Sequence, residues 1–442
     1  MRILLLHSSS DIYGASKIFL QTVKLLKDKG HYTVVALSAT GPLSIALENI
    51  GVEVYIINLA ILRRKYFSIS GILNRYQKWR TAVKALDAFI NQHQIDTLYS
   101  NTAAVLVGGY IAKKKKLQHI WHLHEIIEKP VFLHAFLASR LRNWSDKIIV
   151  VSKAVEAHWK DSVTQTKMVQ VYNGLPAISS NDTLNTNNID THSSTIIDTL
   201  NITNNDTLNI TNNDTPNISS NPAHSLRTKL SIPKEAIVIG MAARIHFWKG
   251  QTYFIDIAQA LLQNAKQQTP TPAAPLYFII AGDPFPGYEH LQVEMEKAIV
   301  DNELSDRVFY VGLVNDMATF YQSINVLILP SQQPDPLPTV VLEAMQYALP
   351  VVATAQGGAL EMVIGELTEA EKVLSNHLHD ATGLFIPLND ALLAANKIES
   401  ILTPQKLKTL GEAGKKRVEQ YFSAASFEKN MISVFEKSIP KT

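Results

Sequence analysis

The chain opens with short apolar runs that alternate with amphipathic stretches. Residues 2–7 are mostly apolar, a helical pattern follows over 15–29, and a second apolar run covers 33–37. Short strands joined by helices indicate right-handed βαβ units and a parallel sheet. The alternation continues to residue 151 and predicts these elements: strands 52–57, 97–99, 120–124 and 147–151, with helices 76–92, 103–114 and 131–143.

A second alternating series begins at residue 236. It predicts strands 236–241, 276–281, 308–311, 326–329 and 351–353, with helices 250–263, 288–300, 317–322 and 339–347. The last part, 390–439, has a helical pattern broken at Pro404 and again near Phe422. We therefore expect an α/β protein with two Rossmann-like, doubly wound parallel sheets.

The segment between the two series has a different composition. Residues 179–221 consist mainly of Asn, Thr, Asp, Ser and Ile, and the seven residues from Asn201 recur from Asn209, which is a period of eight. Two copies cannot bury a solenoid core, so a flexible low-complexity loop is the preferred interpretation. The predicted organisation is an N-terminal domain over 1–177, an inserted linker over 178–226, a second domain over 227–420, and a C-terminal helix over 421–442 that crosses back to the first domain.

Composition excludes several classes of protein. A chain of 442 residues exceeds what one hydrophobic core usually holds, which agrees with two domains. The absence of cysteine excludes disulfides, thiolate nucleophiles and cysteine-ligated zinc. The N-terminal apolar run, residues 3–6, is shorter than a signal-peptide core, and no run is long enough to span a bilayer. We expect a cytoplasmic protein that lies at most on a membrane surface.

The net charge of +2 conceals an asymmetry. Residues 1–177 hold 23 Lys and Arg against 11 Asp and Glu, whereas the remainder holds 18 against 28. The basic residues 63–65, 75–80 and 113–116 are interleaved with aromatic ones, which favours an anionic lipid surface. The alternative is an ordinary solvated helix face. Nucleic acid is not expected, because no recognition motif accompanies the charge.

Loops that follow the strands hold the candidate chemistry, since ligands of open α/β sheets bind there. The first has one glycine, Gly14, and lacks the dinucleotide G-x-G-x-x-G pattern. Gly14 either opens a helix whose free N–H groups suit a phosphate or hydroxyl, or is a turn glycine. The second loop places Arg244 and Lys249 before a helix start, where they form a diphosphate clamp or are simply solvated.

Two carboxylates mark the third loop and the helix after it. Asp335 lies in a proline-rich loop, and Glu343 lies one turn inside the helix that follows. Carboxylates accept hydrogen bonds from vicinal hydroxyls, so this spacing suits two sugar rings, a ribose and a hexose. The alternative for Glu343, a first-turn acid that stabilises the helix dipole, fits poorly beside apolar neighbours. Gly357, Gly358 and Glu361 then form another glycine turn that leads into a helix.

A histidine pair ends one strand of the first domain. Alternation places His122 and His124 on one face of the strand. A metal would need further ligands, and no matching cluster is evident. A hydrogen-bonding role for His124 is preferred, with a structural role second.

Taken in order, these motifs resemble glycosyltransferase family 4, a group of retaining GT-B enzymes. The resemblance covers nearly all of the chain outside 178–226 and is strongest over 237–361. Arg244 and Lys249 match the family's diphosphate grip. Asp335 and Glu343 match its E-x7-E signature, with Asp in place of the first Glu. That shorter side chain puts in question which hexose is held.

Three further motifs extend the resemblance. Gly357 and Gly358 with Glu361 match the family's glycine turn and following acid. The loop around Gly14 looks like the family's first loop, and His124 looks like its active-site histidine.

The resemblance implies two domains that face each other across a cleft, with a nucleotide-sugar donor on the second and the acceptor on the first. Glu343 would bind the ribose, and Arg244 and Lys249 would neutralise the leaving diphosphate, so neither a metal nor a cofactor is expected. Asp335 and the amides near Gly357 and Gly358 would hold the donor sugar, and His124 would act as a catalytic residue that contacts this sugar from the first domain. Gly14 and Glu361 would also bind the donor.

On this reading a hexose moves, with retention, to a polysaccharide- or lipid-linked acceptor in cell-surface glycan synthesis. The apolar segment 131–137 is then either core or the entry for that acceptor. Two alternatives stay open: a soluble enzyme with a small acceptor such as a sugar phosphate, and a non-catalytic nucleotide-sugar-binding scaffold.

Overall fold

A computed structural model describes residues 1–61, 69–163, 165–178, 225–267, 274–364 and 381–437. The chain divides into two compact units. Within the described ranges, unit 1 contains residues 1–174 and 422–437, and unit 2 contains the residues between them. Nearly all of the predicted linker, together with the basic triplet at 63–65, lies outside the described residues.

Unit 1 is built on a seven-stranded sheet in the order β3-β2-β1-β4-β5-β6-β7, in which every pair is parallel. Its strands are β1 (Arg2–His7), β2 (Tyr32–Leu37), β3 (Glu53–Ile56), β4 (Thr97–Asn101), β5 (Gln118–Leu123), β6 (Lys147–Val150) and β7 (Met168–Gln170). Its connecting helices are α1 (Gly14–Asp28), α2 (Pro42–Asn49), α3 (Ile69–His93), α4 (Leu106–Lys115), α5 (Val131–Trp144) and α6 (Lys153–Trp159).

Helices cover both faces of this sheet. In β1, Ile3 and Leu5 belong to one hydrophobic cluster, whereas Leu4 and Leu6 belong to another. A strand buried on both sides explains the continuous apolar run that begins the sequence.

Unit 2 contains a six-stranded parallel sheet in the order β10-β9-β8-β11-β12-β13. Its strands are β8 (Ile237–Ala242), β9 (Leu276–Ala281), β10 (Val308–Tyr310), β11 (Val326–Leu329), β12 (Val351–Thr354) and β13 (Gly383–Ile386). Its helices are α7 (Leu226–Lys229), α8 (Gln251–Gln267), α9 (Glu289–Asp301), α10 (Met317–Ser323), α11 (Thr339–Gln346), α12 (Ala359–Met362), α13 (Ala391–Glu399) and α14 (Pro404–Tyr421). The predicted pair of doubly wound sheets is confirmed.

Several elements were not predicted from the apolar pattern. The short strands β7 and β13 have too few residues to show a period, and α6 follows β6 with little separation. Helix α2 had a usable signal, because Pro42 stands at its first position and Leu43, Ala46 and Leu47 form its buried face. Helix α3 also begins earlier than residue 76, at Ile69.

The last helix, α15 (Ala424–Glu436), packs within unit 1 although it follows α14 of unit 2 in sequence. Phe427, Met431 and Phe435 are fully buried in the cluster that contains Ile3 and Leu5. The Phe435 ring also stacks on Tyr99, with 6.0 Å between the ring centroids. The C-terminal helix is therefore part of the unit 1 core.

We predict that Phe427→Ala lowers the free energy of unfolding of unit 1 by about 3–5 kcal/mol, because the substitution leaves a cavity in a closed core. Urea unfolding of the full chain measures this change. Asn430→Ala, on the exposed side of the same helix, is the matched control and should stay within about 0.5 kcal/mol of the parent. Equal effects of the two substitutions would contradict the role given to α15.

Candidate functional site

Three loops of unit 2 meet where its strand order reverses. Strands β8 and β11 are neighbours in the sheet although two other strands separate them in sequence, and β12 lies beside β11. The loops after β8, β11 and β12 therefore leave the same edge of the sheet, side by side. In open α/β sheets this is the position at which ligands bind.

Close backbone approaches hold these loops together. Gly250 has φ +83°, and a Cβ there would lie 2.1 Å from the carbonyl oxygen of Pro330. Gly357 has φ +60°, and a Cβ there would lie 2.4 Å from the carbonyl oxygen of Asp335. The Gly358 N–H also donates to that oxygen, at 2.7 Å. Gly250 and Gly357 must be glycine, because each has a left-handed backbone conformation and leaves no space for a Cβ atom.

An ion pair joins the second and third predicted motifs. The Lys249 ammonium donates to Oδ2 of Asp335, and both side chains are largely buried. The ammonium also lies 4.0 Å from the centre of the Trp248 ring. The Gln332 N–H donates to the Trp248 carbonyl at 2.7 Å, which ties the two loops together beside the pair. The site thus holds a fixed cation and a fixed anion that neutralise each other.

Arg244 lies at the start of the same loop. Its guanidinium carbon is 5.2 Å from the centre of the Phe285 ring, and its carbonyl accepts from Gln251 Nε2 at 2.9 Å. The side chain is half-buried rather than extended into solvent. A cation–π contact of this kind restricts the position of the guanidinium beside the loop.

Glu343 is fixed by a residue that sequence analysis missed. The Tyr321 hydroxyl, on α10, donates to Oε2 of Glu343 at 2.7 Å. Burial and the neighbouring carboxylate hold the pKa of Tyr321 well above its usual range, so the hydroxyl remains a donor. One carboxylate oxygen is thereby oriented, and the other remains available as an acceptor.

The glycine turn has a positioning role in the structure. The Gly358 amide is already bonded to Asp335, so that amide holds the Asp335 backbone rather than facing an open site. Glu361 lies in α12, and its carbonyl accepts from Arg417 of α14. These residues were predicted to contact a donor sugar directly, and that role stays a prediction.

In unit 1, His124 directly follows β5 at the corresponding edge of the first sheet. Its Nε2 lies 2.9 Å from Oδ1 of Asn101, the last residue of β4. Asn101 Nδ2 in turn lies 2.9 Å from Nδ1 of His7, the last residue of β1. His7 Nε2 lies 2.9 Å from the Ser16 hydroxyl. Three adjacent strands thus end in one hydrogen-bonded chain.

Most of this series of hydrogen-bonded side chains is shielded from water, and only His124 is half-buried. His7, Ser16 and Asn101 are all buried, and Asn101 is fully so. Burial lowers the pKa of His7 to about 3 and that of His124 well below its usual range, so both rings are neutral at pH 7. The neighbouring ring of His122, whose centroid is 4.1 Å from that of His124, acts in the same direction.

Glu125, the next residue, is placed by the backbone. Its carboxylate accepts from the N–H groups of Ala103 and His124. Burial raises the pKa of this carboxyl to about 7, although those bonds oppose the rise. The site of unit 1 therefore presents rings and amides with little net charge.

Gly14 lies at the first position of α1 and is exposed. A Cβ there would meet no heavy atom of the described chain within 4 Å. Within the described residues, neither φ nor packing requires glycine at this position, and its donor-binding role stays a prediction.

The basic residues of unit 1 lie on neighbouring helices. Trp79 of α3 packs on Tyr110 of α4 at 5.4 Å between ring centroids, and Tyr110 packs on Trp144 of α5 at 5.9 Å. We use the name basic helical face for a set of exposed basic and apolar residues of these three helices and the residue after α4, namely Leu73, Tyr76, Lys78, Arg80, Lys113, Lys114, Lys116, Val131, Phe132 and Phe136. Phe132 is 67% exposed and Val131 is 75% exposed, so the start of the segment 131–137 is not core, whereas Leu137 at its end is buried.

Within the described ranges, no group of three or more His, Asp or Glu side chains is arranged to hold a metal ion. The helices of those same ranges include none with both the length and the hydropathy needed to cross a bilayer.

The chain matches two family models that together cover most of its length. Residues 12–177 match "Glycosyltransferase Family 4", and residues 223–417 match "Glycosyl transferases group 1". The first match begins after β1 and covers α1 to β7, and the second covers the unit 2 sheet and its helices.

Two curated relatives are glycosyltransferases by name. Lipopolysaccharide 1,2-N-acetylglucosaminetransferase of Salmonella typhimurium is 27% identical over 49% of this chain and 53% of its own length. The lipopolysaccharide core biosynthesis mannosyltransferase LpsB of Rhizobium meliloti is 26% identical over 36% of this chain and 44% of its own length. The chain thus aligns with about half the length of these relatives.

The fold has solved counterparts. The Anabaena protein HepE, crystallised in complex with UDP-glucose, superposes with a TM-score of 0.72 at 20% identity, over 99% of this chain and 100% of that one. WaaG, a glycosyltransferase involved in lipopolysaccharide biosynthesis, superposes with a TM-score of 0.61 at 13% identity, over 98% and 99% of the two chains. With one match on each sheet and this shared fold, the chain belongs to the GT-B glycosyltransferases that join a family 4 domain to a group 1 domain.

Proposed function

We propose that this protein transfers a hexose-type sugar from a nucleotide-diphosphate sugar to a polysaccharide- or lipid-linked acceptor in cell-surface glycan synthesis. The observation that carries the proposal is the Lys249–Asp335 pair at the switch point of the second sheet. It supplies a cation for a diphosphate and a carboxylate for sugar hydroxyls within one site.

The names of the relatives support a role in cell-surface glycan synthesis. Both curated relatives act, by name, in lipopolysaccharide synthesis, one with N-acetylglucosamine and one with mannose. The Anabaena structure holds UDP-glucose, which makes UDP-sugars the first donors to test. Retention of anomeric configuration is the outcome proposed from the family resemblance.

The donor half of the chemistry is assigned to unit 2. Lys249 turns from Asp335 to the diphosphate, and Arg244 adds a second positive charge as the leaving group forms. Asp335 is then free to accept from a sugar hydroxyl. Glu343, held by Tyr321, accepts from the ribose with its other oxygen. Because two side-chain cations serve the diphosphate, no metal is needed in this proposal.

The acceptor half is assigned to unit 1, whereas Gly14 and His124 at its sheet edge keep the donor-binding and catalytic roles expected from the resemblance. The basic helical face lies on the outer helices of the same unit and combines lysines with exposed Phe132. Such a surface suits the anionic headgroups beside which a lipid-linked acceptor resides, so we include peripheral attachment to the cytoplasmic membrane face in the proposal.

Two alternatives compete with this function. A soluble enzyme with a small acceptor would share the donor site but not bind vesicles. A nucleotide-sugar-binding scaffold would bind the donor without turnover. Donor-dependent transfer or hydrolysis, screened with UDP-, GDP- and ADP-sugars, separates the scaffold from both enzymes.

We predict that Lys249→Ala weakens UDP binding about 10- to 100-fold, because one charge-assisted hydrogen bond to phosphate is lost. Isothermal titration calorimetry measures the change, and circular dichroism checks the fold. Lys297→Ala is the matched control, since Lys297 also pairs with an aspartate in unit 2 but lies on the exposed face of α9. An unchanged dissociation constant in folded Lys249→Ala would refute the diphosphate grip.

We predict the opposite sign for Asp335→Asn. Removing this carboxylate frees Lys249 and removes a negative charge beside the diphosphate, so UDP should bind about tenfold more tightly. Sugar transfer should nevertheless fall, because the hydroxyl acceptor is weakened. Asp301→Asn, the partner of Lys297, is the control and should change neither quantity. Weaker UDP binding in Asp335→Asn would show that the ion pair does not compete with the donor.

We predict that the protein floats with vesicles containing phosphatidylserine and less with phosphatidylcholine alone. Phe132→Ser should reduce the bound fraction about tenfold, since one inserted aromatic side chain is lost. Leu392→Ser, a similarly exposed apolar residue of unit 2, should leave flotation unchanged. Failure of the parent protein to float would favour the soluble enzyme with a small acceptor.

A further inference from the structure

The hydrogen-bonded chain in unit 1 has a direction, and Asn101 sets it. Asn101 Nδ2 lies 3.3 Å from the carbonyl oxygen of Ala15, which can only accept. The Tyr99 hydroxyl lies 3.4 Å from Oδ1 on the other side, but its shorter contact, 2.5 Å, is with Nδ1 of His122. The Ala15 carbonyl orients the amide independently of the histidines, because a flipped amide would set two acceptors against each other there.

The orientation of Asn101 fixes the tautomer of His7. The amide donates from Nδ2 to Nδ1 of His7, so that ring nitrogen carries no proton. A neutral His7 must then carry its proton on Nε2, from which it donates to the Ser16 hydroxyl. Full burial at the sheet edge leaves His7 no water to replace either bond.

The same amide fixes His124. Oδ1 of Asn101 can only accept, so Nε2 of His124 must be the protonated nitrogen of the neutral ring. Nδ1 of His124 then carries the lone pair, and it makes no hydrogen bond to any other part of the described chain. A half-buried ring with one such nitrogen is an acceptor for a hydroxyl proton, not a donor to an oxygen.

We propose that Asn101 is a positioning residue that, together with His7 and Ser16, holds His124 as the Nε2–H tautomer with Nδ1 presented as a hydrogen-bond acceptor. For a neutral ring, the tautomer follows from these hydrogen bonds. Only the identity of the bound group, a sugar hydroxyl that donates to Nδ1, depends on the proposed function. The chemistry therefore favours a substrate with a free hydroxyl at this point over one with only an ether or carbonyl oxygen.

The test is nitrogen NMR of the full chain, labelled with ¹⁵N-histidine, at pH 7 and without any donor. Signals of His7 and His124 are assigned from His7→Gln and His124→Gln. In the parent protein both rings should show a pyrrole-like Nε2 and a pyridine-like Nδ1. A proton on Nδ1 of His124, as the other tautomer or as imidazolium, would overturn the proposal.

A substitution tests the role of Asn101 itself. In Asn101→Asp both oxygens accept, so His7 must now present a protonated Nδ1, and its Nδ1 signal should change from pyridine-like to pyrrole-like. Nε2 of His124 should keep its proton. Asn143→Asp, on the exposed surface of α5, is the control and should move neither signal. An unchanged His7 spectrum in folded Asn101→Asp would show that the Asn101 amide does not set the tautomer of His7.

Activity gives a second readout. Asn101→Leu, which neither donates nor accepts, should lower kcat/KM for transfer about tenfold, the equivalent of one hydrogen bond. Its His124 ring should also show a mixture of tautomers. An unaltered His124 spectrum in this variant would overturn the positioning role. Lack of transfer by the parent protein with every donor would instead overturn the proposed function, since the spectra need no donor.

Discussion

The packing of three loops around Asp335 is the constraint on which the rest of the candidate donor site depends. Gly357 lies so close to the Asp335 backbone that no side chain fits between them, and Gly250 approaches Pro330 in the same way. These approaches set the separation of the loops after β8, β11 and β12. Lys249 and Asp335 can pair because the backbones that carry them are already fixed. A side chain at either glycine would separate the loops and the two charges with them.

Both units place polar residues at a reversal of strand order, but these residues are charged in unit 2 and neutral in unit 1. In unit 2, the reversal between β8 and β11 brings a cation and an anion together. In unit 1, the reversal between β1 and β4 joins neutral groups of His7, Asn101 and His124. An isolated buried charge is costly, and the buried groups that meet at this edge are neutral.

Much of the candidate site could be predicted because its residues follow apolar strands. Arg244, Lys249 and Asp335 each stand in a loop after a strand, where the sequence alone shows both the strand and the polar residues. Tyr321 had no such signal, since it belongs to a short helix before β11 and acts only through its contact with Glu343. Asn101 and His7 are the last residues of their strands, and His124 directly follows one. A search for polar residues at the end of every strand would have found Asn101 and His7.

The sequence by itself determined most of the succession of strands and helices, the two doubly wound sheets and the residues that carry charge, because these depend on local periodicity and composition. Tertiary structure decided which groups meet. Lys249 and Asp335 are 86 residues apart, and His7 and Asn101 are 94 apart. Their bonds exist only after parallel strands align in register. The orientation of the Asn101 amide, and with it the proton of His124, depends on atoms from three strands and a helix that no local pattern connects.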